Sequence, residues 1–380
     1  MTLRRLRLNL HADDLDLWFV GAVLTLLALG TMAVFGAGSF HPSAPGMHHY
    51  LFRHLERMAL GVLACLALAL VDHVQLRRGW LVYAAMALGV AFTAQPVLMR
   101  DVVIDRWVAI PGLGQFQPIE LAKLGLVLFL AYRLSRSPLD SPLSGRPLLI
   151  TVLAGPVALM VLLVLQPNFG NVVVLSLVSI LMFAVAGMAW RWLLALVPLG
   201  VGAVVVGYLV VSKLHTRIDH WLGGWRGLPA GDEPPFGYQV HQSLMGMGAG
   251  GWRGLGPGAS HNKFAFLPEA HTDFAVSHLG EELGLVGTLI VLTSLVVLVW
   301  RAMIIARRAT NPFGRLLAAG LGGMIFIYGV ANIAMVIGVI PVMGVPLPFI
   351  SYGGSALVTN LAAVGLVLNV DRQSRSRRRA

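Results

Sequence analysis

Ten stretches of this sequence are long enough and apolar enough to be candidate membrane-spanning helices, and they constrain the fold more than any other feature. They cover residues 17–35, 57–71, 80–95, 119–134, 148–165, 171–188, 192–211, 274–300, 315–339 and 351–370. A helix needs about 20 mostly apolar residues to cross a bilayer core, so the second and third stretches are short. Charged residues form only 12% of the chain, far below the share in soluble domains. We therefore predict an all-α polytopic membrane protein with about ten transmembrane helices.

Basic residues are concentrated at alternate ends of these stretches and in the C-terminal tail. Because cytoplasmic loops of membrane proteins are rich in Lys and Arg, we predict a cytoplasmic N-terminus (1–16) and a basic cytoplasmic tail (371–380). Residues 212–273 then form a large extracytoplasmic loop between helices 7 and 8. We interpret the tail as a disordered, lipid-facing anchor. The net charge of +11 reflects basic residues in the loops on one side of the membrane and does not indicate nucleic-acid binding.

The chain is treated as one membrane domain, 1–380, because no repeat of 20 to 50 residues divides it. The first apolar stretch has no small-residue cleavage site, so we read it as a retained helix, not a signal peptide. Cys65 is the only cysteine, which excludes an internal disulfide and a CxxC site. The 12 histidines show no HExxH spacing, so a zinc site is not expected.

The stretch RWVAIPGLGQFQPIELAKL, residues 106–124, combines a helix start with two opposite charges. Pro118 suits the first turn of a helix, and Glu120 in that turn is favoured by the helix dipole. Lys123 lies three residues further on, on the same face. One interpretation is a functional pair; the other is an interfacial anchor, with Arg106 and Trp107 at the headgroups and a local ion pair.

The stretch FLPEAHTDFAVSHLGEELG, residues 266–284, carries acidic residues into a membrane helix. We predict Thr272 as the N-cap, with Asp273 in the first turn. A carboxylate there could serve as a general base or as a ligand of a divalent cation. For Glu281 and Glu282 we favour a structural role, such as pairing with Arg or Lys of another helix.

Two further stretches indicate irregular backbone near the membrane. Residues 237–274 are rich in glycine, which either lets a ligand approach the backbone or folds a tight re-entrant loop. Prolines interrupt residues 338–360, and irregular backbone at membrane depth is tolerated only beside protein or a wet cavity. Asn332 lies within the ninth apolar stretch, so we expect a cavity there.

These motifs together resemble the RodA/FtsW/SpoVE family, also called SEDS proteins. The matching stretches are RWVAI, FQPIELAKL, QPNFGN, GYQVHQSLMGMGAGG, FLPEAHTDF, GEELGLVG and GVPLPFISYGGSALVTNLAAVGLVLNV. GVPLPF is closer to the RodA pattern than to the FtsW pattern. The resemblance implies a ten-helix protein of the bacterial cytoplasmic membrane with both termini inside. It also implies an inverting glycosyltransferase that polymerises lipid II into peptidoglycan strands for elongation or division, and a class B penicillin-binding protein as partner.

The resemblance also implies roles for individual residues. Asp273 corresponds to the essential acidic residue of the family, while Arg106, Glu120 and Lys123 match its R-W and F-Q-P-S-E-x-x-K positions. The remaining candidate substrate-binding residues are Arg217, Gln242, Lys263, Glu269 and His271. The chemistry admits a divalent cation, Mg²⁺ or Mn²⁺, whose ligands the motifs do not identify, and it needs no organic cofactor.

The stretch QPNFGN departs from the family pattern Q-P-D-L-G-T. Asn168 replaces an acidic residue and Asn171 replaces a threonine, so no role that needs a carboxylate at 168 carries over. Two alternatives to the polymerase stay open. Broken helices with intramembrane charges also suit a lipid II flippase, and a non-catalytic scaffold of the elongation or division complex would fit the apolar surface.

Overall fold

The structure is almost entirely helical. A computed structural model describes residues 16–38, 48–71, 73–98, 107–110, 114–136, 145–228, 234–261 and 272–379. The helices are α1 (Leu17–Gly38), α2 (His49–Leu70), α3 (His73–Leu76), α4 (Gly79–Leu98), α5 (Pro118–Leu134), α6 (Gly145–Val152), α7 (Ala158–Leu165), α8 (Phe169–Val185), α9 (Trp190–Val210), α10 (Ser212–Trp225), α11 (Tyr238–Gly250), α12 (Ala275–Arg308), α13 (Pro312–Val336) and α14 (Gly354–Arg379). Strands β1 (Val108–Ile110) and β2 (Gly114–Phe116) form a short antiparallel hairpin before α5.

Each of the ten predicted apolar stretches falls largely on a helix, which confirms the all-helical membrane architecture. The fifth stretch is divided by a π-helical turn, Leu153–Val157, that joins α6 to α7. Pro156 lies in this turn, where its missing N–H and its ring disturb regular α-helical bonding. Among the described residues, five helices are long and apolar enough to span a membrane, or six with the bent pair α9 and α10. Ten spans therefore stay a prediction.

Helix α13 lies at the centre of the bundle, against α5, α8, α12 and α14. In lipid the hydrophobic effect does not drive helices together, and small residues at the contacts let helices pack closely. Gly365 of α14 packs directly on the backbone of Cys65 in α2, and a Cβ there would overlap it. Cys65 therefore lies in the contact between α2 and α14.

The region 212–273 contains more regular structure than the sequence indicated. Helices α10 and α11 occupy 212–225 and 238–250, and the chain bends by 106° between α9 and α10. Glycine-rich residues 251–261 then pack against the first turns of α12. These glycines thus fold a loop packed on α12, while its description as re-entrant stays a prediction.

The C-terminal tail is also helical, contrary to the expected disordered anchor. Helix α14 continues to Arg379, and Arg375 pairs with the buried Asp371 at 2.9 Å. The Arg301 Nε–H is shared between the two carboxylate oxygens of Asp16, each 3.0 Å from Nε, and Asp16 Oδ1 caps α1 by accepting from the N–H of Phe19. Because Arg375 also lies 4.0 Å from Asp16, the start of α1 and the end of α14 meet at one end of the bundle.

Candidate functional site

A buried ion pair opens helix α5. Pro118 occupies the first helical turn and Glu120 follows in that turn, as the sequence predicted. Lys123 Nζ lies 2.7 Å from Glu120 Oε2, and the two side chains are only 2% and 1% exposed. The pair is therefore present, and both charges lie inside the bundle; the anchor interpretation of Arg106 and Trp107 stays a prediction, because Arg106 lies outside the described residues. A charge pair this deep is tolerated only with close geometry.

The pair continues into a chain of polar contacts. The ammonium of Lys123 lies 3.9 Å from the centre of the Tyr328 ring, where the ring's negative face attracts a cation. The Tyr328 hydroxyl donates to Asn171 Oδ1 at 2.6 Å, and Asn171 Nδ2 donates to Asn168 Oδ1 at 3.0 Å. Asn168 and Asn171, which replace other residues of the family pattern, therefore contact each other, and Tyr328 connects them to the Glu120 and Lys123 pair.

One end of this chain is unsatisfied. Asn168 is 1% exposed, and its Nδ2 has no hydrogen-bond partner in the part of the chain that the structure describes. Sequence analysis did not identify Tyr328 as a site residue. The available signal was a tyrosine inside the ninth apolar stretch, where a buried hydroxyl needs a partner.

Asp273 lies just before α12 and is partly exposed. The helix begins at Ala275 with Phe274 as the N-cap residue, so the prediction of Thr272 as N-cap is wrong by two positions. Asn332 Nδ2 donates to the carbonyl of Asp273 and to the carbonyl of Val345, each at 2.7 Å. The mid-helix asparagine thus fixes Asp273 to the proline-rich segment.

The proline-rich segment 341–350 connects Asp273 with the polar chain. On one side, a Cβ built on Gly344 would lie 3.5 Å from Asp273 Oδ2. On the other side, Gly170 of α8 packs so closely on the segment that a Cβ there would lie 2.9 Å from Val345 Cγ2. The segment therefore contacts both Asp273 and the start of α8, beside Asn168. We call Asp273, segment 341–350 and the Glu120-to-Asn168 chain the candidate site.

The two buried glutamates of α12 hold the glycine-rich loop. Glu281 accepts hydrogen bonds from the Ser260 hydroxyl at 2.5 Å and the His261 N–H at 2.8 Å. Glu282 accepts from the N–H of Gly258 at 2.8 Å. These contacts agree with the structural role expected for the glutamates; their described partners are loop groups and, for Glu282, the imidazole of His278 on α12 at 3.3 Å.

Helix α12 is interrupted one turn beyond these glutamates. Gly284 has φ 68° and ψ −161°, a conformation open essentially to glycine alone. The freed N–H of Leu285 donates to the Gly251 carbonyl at 2.8 Å, while the N–H of Leu255 donates to the Glu281 carbonyl at 3.0 Å. Loop and helix therefore satisfy each other's backbone, as irregular structure at membrane depth requires.

The other candidate residues lie apart or outside the described residues. Arg217 lines a pocket of about 220 Å³ formed by α10, the start of α11 and residues 340–342. Gln242 lies on α11 and is half-buried. Four predicted substrate-binding residues fall outside the described ranges: Arg106, Lys263, Glu269 and His271. In the ranges that are described, no group of three or more His, Cys, Asp or Glu side chains could hold a metal ion.

Comparisons with known proteins identify relatives of this chain. The FtsW/RodA/SpoVE family, described as cell cycle proteins, matches residues 17–376. A probable peptidoglycan glycosyltransferase FtsW of Trichlorobacter lovleyi is 34% identical over 96% of this chain and 95% of the relative. The peptidoglycan glycosyltransferase MrdB of Escherichia coli is 32% identical over 84% of each chain.

Two solved structures share the fold. A chain from a peptidoglycan synthase complex, studied for the structural coordination of polymerization and crosslinking, has a TM-score of 0.75 at 29% identity, covering 94% of this chain and 98% of that one. RodA of Thermus thermophilus has a TM-score of 0.66 at 27% identity, covering 94% and 97%. The relatives carry FtsW, MrdB and RodA names, so the preference for RodA stays a prediction. The match over nearly the whole chain confirms the resemblance found in the motifs: this protein belongs to the FtsW/RodA/SpoVE family.

Proposed function

We propose that this chain is a peptidoglycan glycosyltransferase that polymerises lipid II into glycan strands. Its relatives are named for this activity. The observation that carries the proposal is the setting of Asp273, a partly exposed carboxylate whose backbone is fixed by Asn332 beside broken helices. A positioned base of this kind suits proton abstraction from a sugar hydroxyl.

In the proposed reaction, Asp273 accepts the proton of the acceptor sugar hydroxyl. The hydroxyl oxygen attacks the anomeric carbon of the donor sugar and forms the new glycosidic bond. The bond from that carbon to the lipid diphosphate breaks, and its electron pair leaves on the diphosphate. One such displacement inverts the configuration at the anomeric carbon. A positioned base typically contributes about 10² to 10⁴ in rate.

The charge on the leaving diphosphate requires cationic groups nearby. Arg106 stays a candidate for this role on the basis of the family pattern. Lys123 is buried and neutralised by Glu120 at 2.7 Å, so we assign it to positioning α5 and Tyr328 rather than to contact with substrate. In this assignment Glu120 and Lys123 have a structural role, and Asp273 is the reacting carboxylate.

A divalent cation fits this site only if the substrate brings part of its coordination. The described residues provide no cluster of three metal-binding side chains, whereas Mg²⁺ is commonly held by one or two carboxylates together with substrate phosphates. Asp273 would be the protein ligand. The bound ion would supply charge neutralisation for the diphosphate.

The proposal places the protein in the bacterial cytoplasmic membrane with both termini in the cytoplasm. The contact of Asp16 with Arg375 supports the termini lying on one side, and the basic tail supports the cytoplasmic side. A class B penicillin-binding protein is the proposed partner. The structural similarity to a chain of a synthase complex that coordinates polymerization and crosslinking supports this choice.

The test is polymerisation of labelled lipid II by purified protein in nanodiscs, with and without the transpeptidase partner and with Mg²⁺ or Mn²⁺. Wild-type protein should form glycan chains, and Asp273→Ala should lower the rate by at least about 10². Glu56→Gln, which alters an exposed carboxylate, is the control and should keep activity. Equal chain formation by Asp273→Ala would exclude the base assignment, while lipid II scrambling across vesicles without chains would favour the flippase.

A further inference from the structure

Two buried polar side chains lie one turn apart on the same face of α13, namely Tyr328 and Asn332. Tyr328 is 2% exposed and Asn332 is 0% exposed. Asn332 fixes the backbone of Asp273, whereas the Tyr328 hydroxyl has no role in the proposed reaction. The contacts of the two side chains lead away from α13 in different directions and meet again at the segment 341–350.

The contacts of Tyr328 lead to the first turn of α8. Its hydroxyl donates to Asn171 Oδ1 at 2.6 Å, and Asn171 Nδ2 donates to Asn168 Oδ1 at 3.0 Å. Asn168 is the N-cap residue of α8, but its side chain makes no capping hydrogen bond, since its oxygen is engaged by Asn171. Two side-chain amides therefore hold the start of α8 to α13.

The segment 341–350 lies between the start of α8 and α13. On the α8 side, a Cβ built on Gly170 would overlap the Met343 carbonyl oxygen and lie 2.9 Å from Val345 Cγ2. On the α13 side, Asn332 Nδ2 donates to the Val345 carbonyl at 2.7 Å. The segment forms no helix or strand, so its position is set by these two neighbours.

The same segment and the same asparagine contact Asp273. Asn332 Nδ2 also donates to the Asp273 carbonyl at 2.7 Å, and a Cβ on Gly344 would lie 3.5 Å from Asp273 Oδ2. The contacts thus form a closed path that leaves α13 at Tyr328, passes through the start of α8 and the segment 341–350, and returns to α13 at Asn332. We call it the contact path. A shift of α8 moves the segment that lies against the carboxylate.

We propose that Tyr328 and Asn171 are positioning residues for Asp273 and act through the contact path. The inference rests on the proposed function, because it assigns these residues to the reaction of Asp273. Both side chains are 2% exposed, so they act without touching substrate. Loss of the Tyr328 hydroxyl leaves Asn171 Oδ1 buried without its donor, which is costly and releases the start of α8. Misplacing a reacting group by about 1 Å costs about 10² in rate.

The test is a double-mutant cycle on kcat and KM for labelled lipid II, in nanodiscs at a temperature where every variant stays folded. Tyr328→Phe removes only the hydroxyl and keeps the aromatic ring that contacts Lys123. Asn332→Leu breaks the contact path at its other end. Tyr83→Phe is the matched control, because this tyrosine of α4 is 45% exposed and its hydroxyl accepts from Arg133 at 3.3 Å, outside the contact path.

Tyr328→Phe should lower kcat about tenfold and leave KM within about twofold, whereas Tyr83→Phe should leave both within about twofold. Because Tyr328 and Asn332 act on one path, the double variant should lose about 10- to 30-fold in kcat, not the roughly 100-fold of two independent tenfold effects. Asn171→Val breaks the same contact from α8. It should reproduce the loss and the coupling, and it replaces Tyr328→Phe in the cycle if that variant folds poorly.

A wild-type kcat in Tyr328→Phe, or losses that multiply to about 100-fold in the double variant, would overturn the proposal. A raised KM with unchanged kcat would overturn it as well, since the hydroxyl would then contribute to uniform substrate binding. Absence of chain formation by wild-type protein would instead refute the proposed function.

Discussion

Breaking the buried Glu120 and Lys123 pair should cost far more than its short spacing suggests. At 2.7 Å, two unit charges in a medium of effective dielectric 20 attract by about 6 kcal/mol. Desolvation offsets much of this attraction, but a single substitution leaves the other charge buried without its partner. We therefore expect Glu120→Met or Lys123→Met alone to destabilise the protein by about 3–5 kcal/mol.

The double variant separates a structural pair from a catalytic one. Glu120→Met combined with Lys123→Met removes both charges and leaves no polar group at either position, and the methionine at 123 keeps contact with the Tyr328 ring. Its stability should therefore recover to within about 1 kcal/mol of wild type, since apolar replacement of a buried pair is often neutral. Because Lys123 is assigned a positioning role, polymerisation by the double variant should recover along with stability.

The chain contains a matched control for this experiment. Arg53 and Glu56 form a pair with the same i, i+3 spacing, at 3.6 Å, but their side chains are 47% and 66% exposed. Glu56→Gln should change stability by less than about 1 kcal/mol. The assay is the inactivation half-life in detergent at a fixed elevated temperature, because large proteins often unfold irreversibly. A double variant no more stable than either single variant would refute the reasoning.

Three further substitutions test other parts of the structure. Gly284→Ala should lower thermal stability by at least about 1–3 kcal/mol in backbone strain, whereas Gly200→Ala, with open space around its Cα, should have little effect in the same melting assay. Asn332→Leu removes both hydrogen bonds that fix the backbone at the proposed base, and initial-rate measurements should give a kcat lower by about tenfold or more with KM nearly unchanged. Asp16→Asn should weaken the contact with Arg301 and shorten the inactivation half-life while leaving low-temperature polymerisation intact; an unchanged half-life would contradict the role of that contact.

Much of the fold could be predicted from the sequence because helices and their local partners follow from nearby residues. Apolar length located the helices of the ten apolar stretches but not α10 or α11, and spacing alone brought Glu120 next to Lys123. The burial of that pair could not be predicted, since it depends on Tyr328 and Asn171, which lie far away along the chain. Local spacing fixes which side chains meet, whereas the surrounding helices fix how deeply they are buried.

The structure of residues 212–273 was harder to predict from the sequence for a related reason. Composition suggested a loop, but α11 is a helix whose Ser243 donates to the Val336 carbonyl of α13 at 2.9 Å. A glycine-rich helix of this kind has weak intrinsic propensity, so tertiary packing must stabilise it. The break at Gly284 was missed because the backbone there depends on residues 251–256, which supply its hydrogen-bond partners.

Irregular backbone explains the buried polar side chains near the start of α12 and in α13. Each non-helical segment at membrane depth leaves peptide groups that lipid cannot satisfy. Asn332 satisfies two carbonyls, and Glu281 and Glu282 satisfy loop N–H groups. These buried polar residues therefore stabilise the breaks. A search for catalytic residues in such a membrane protein should first set aside every polar side chain that hydrogen-bonds to backbone N–H or C=O groups where a helix is interrupted.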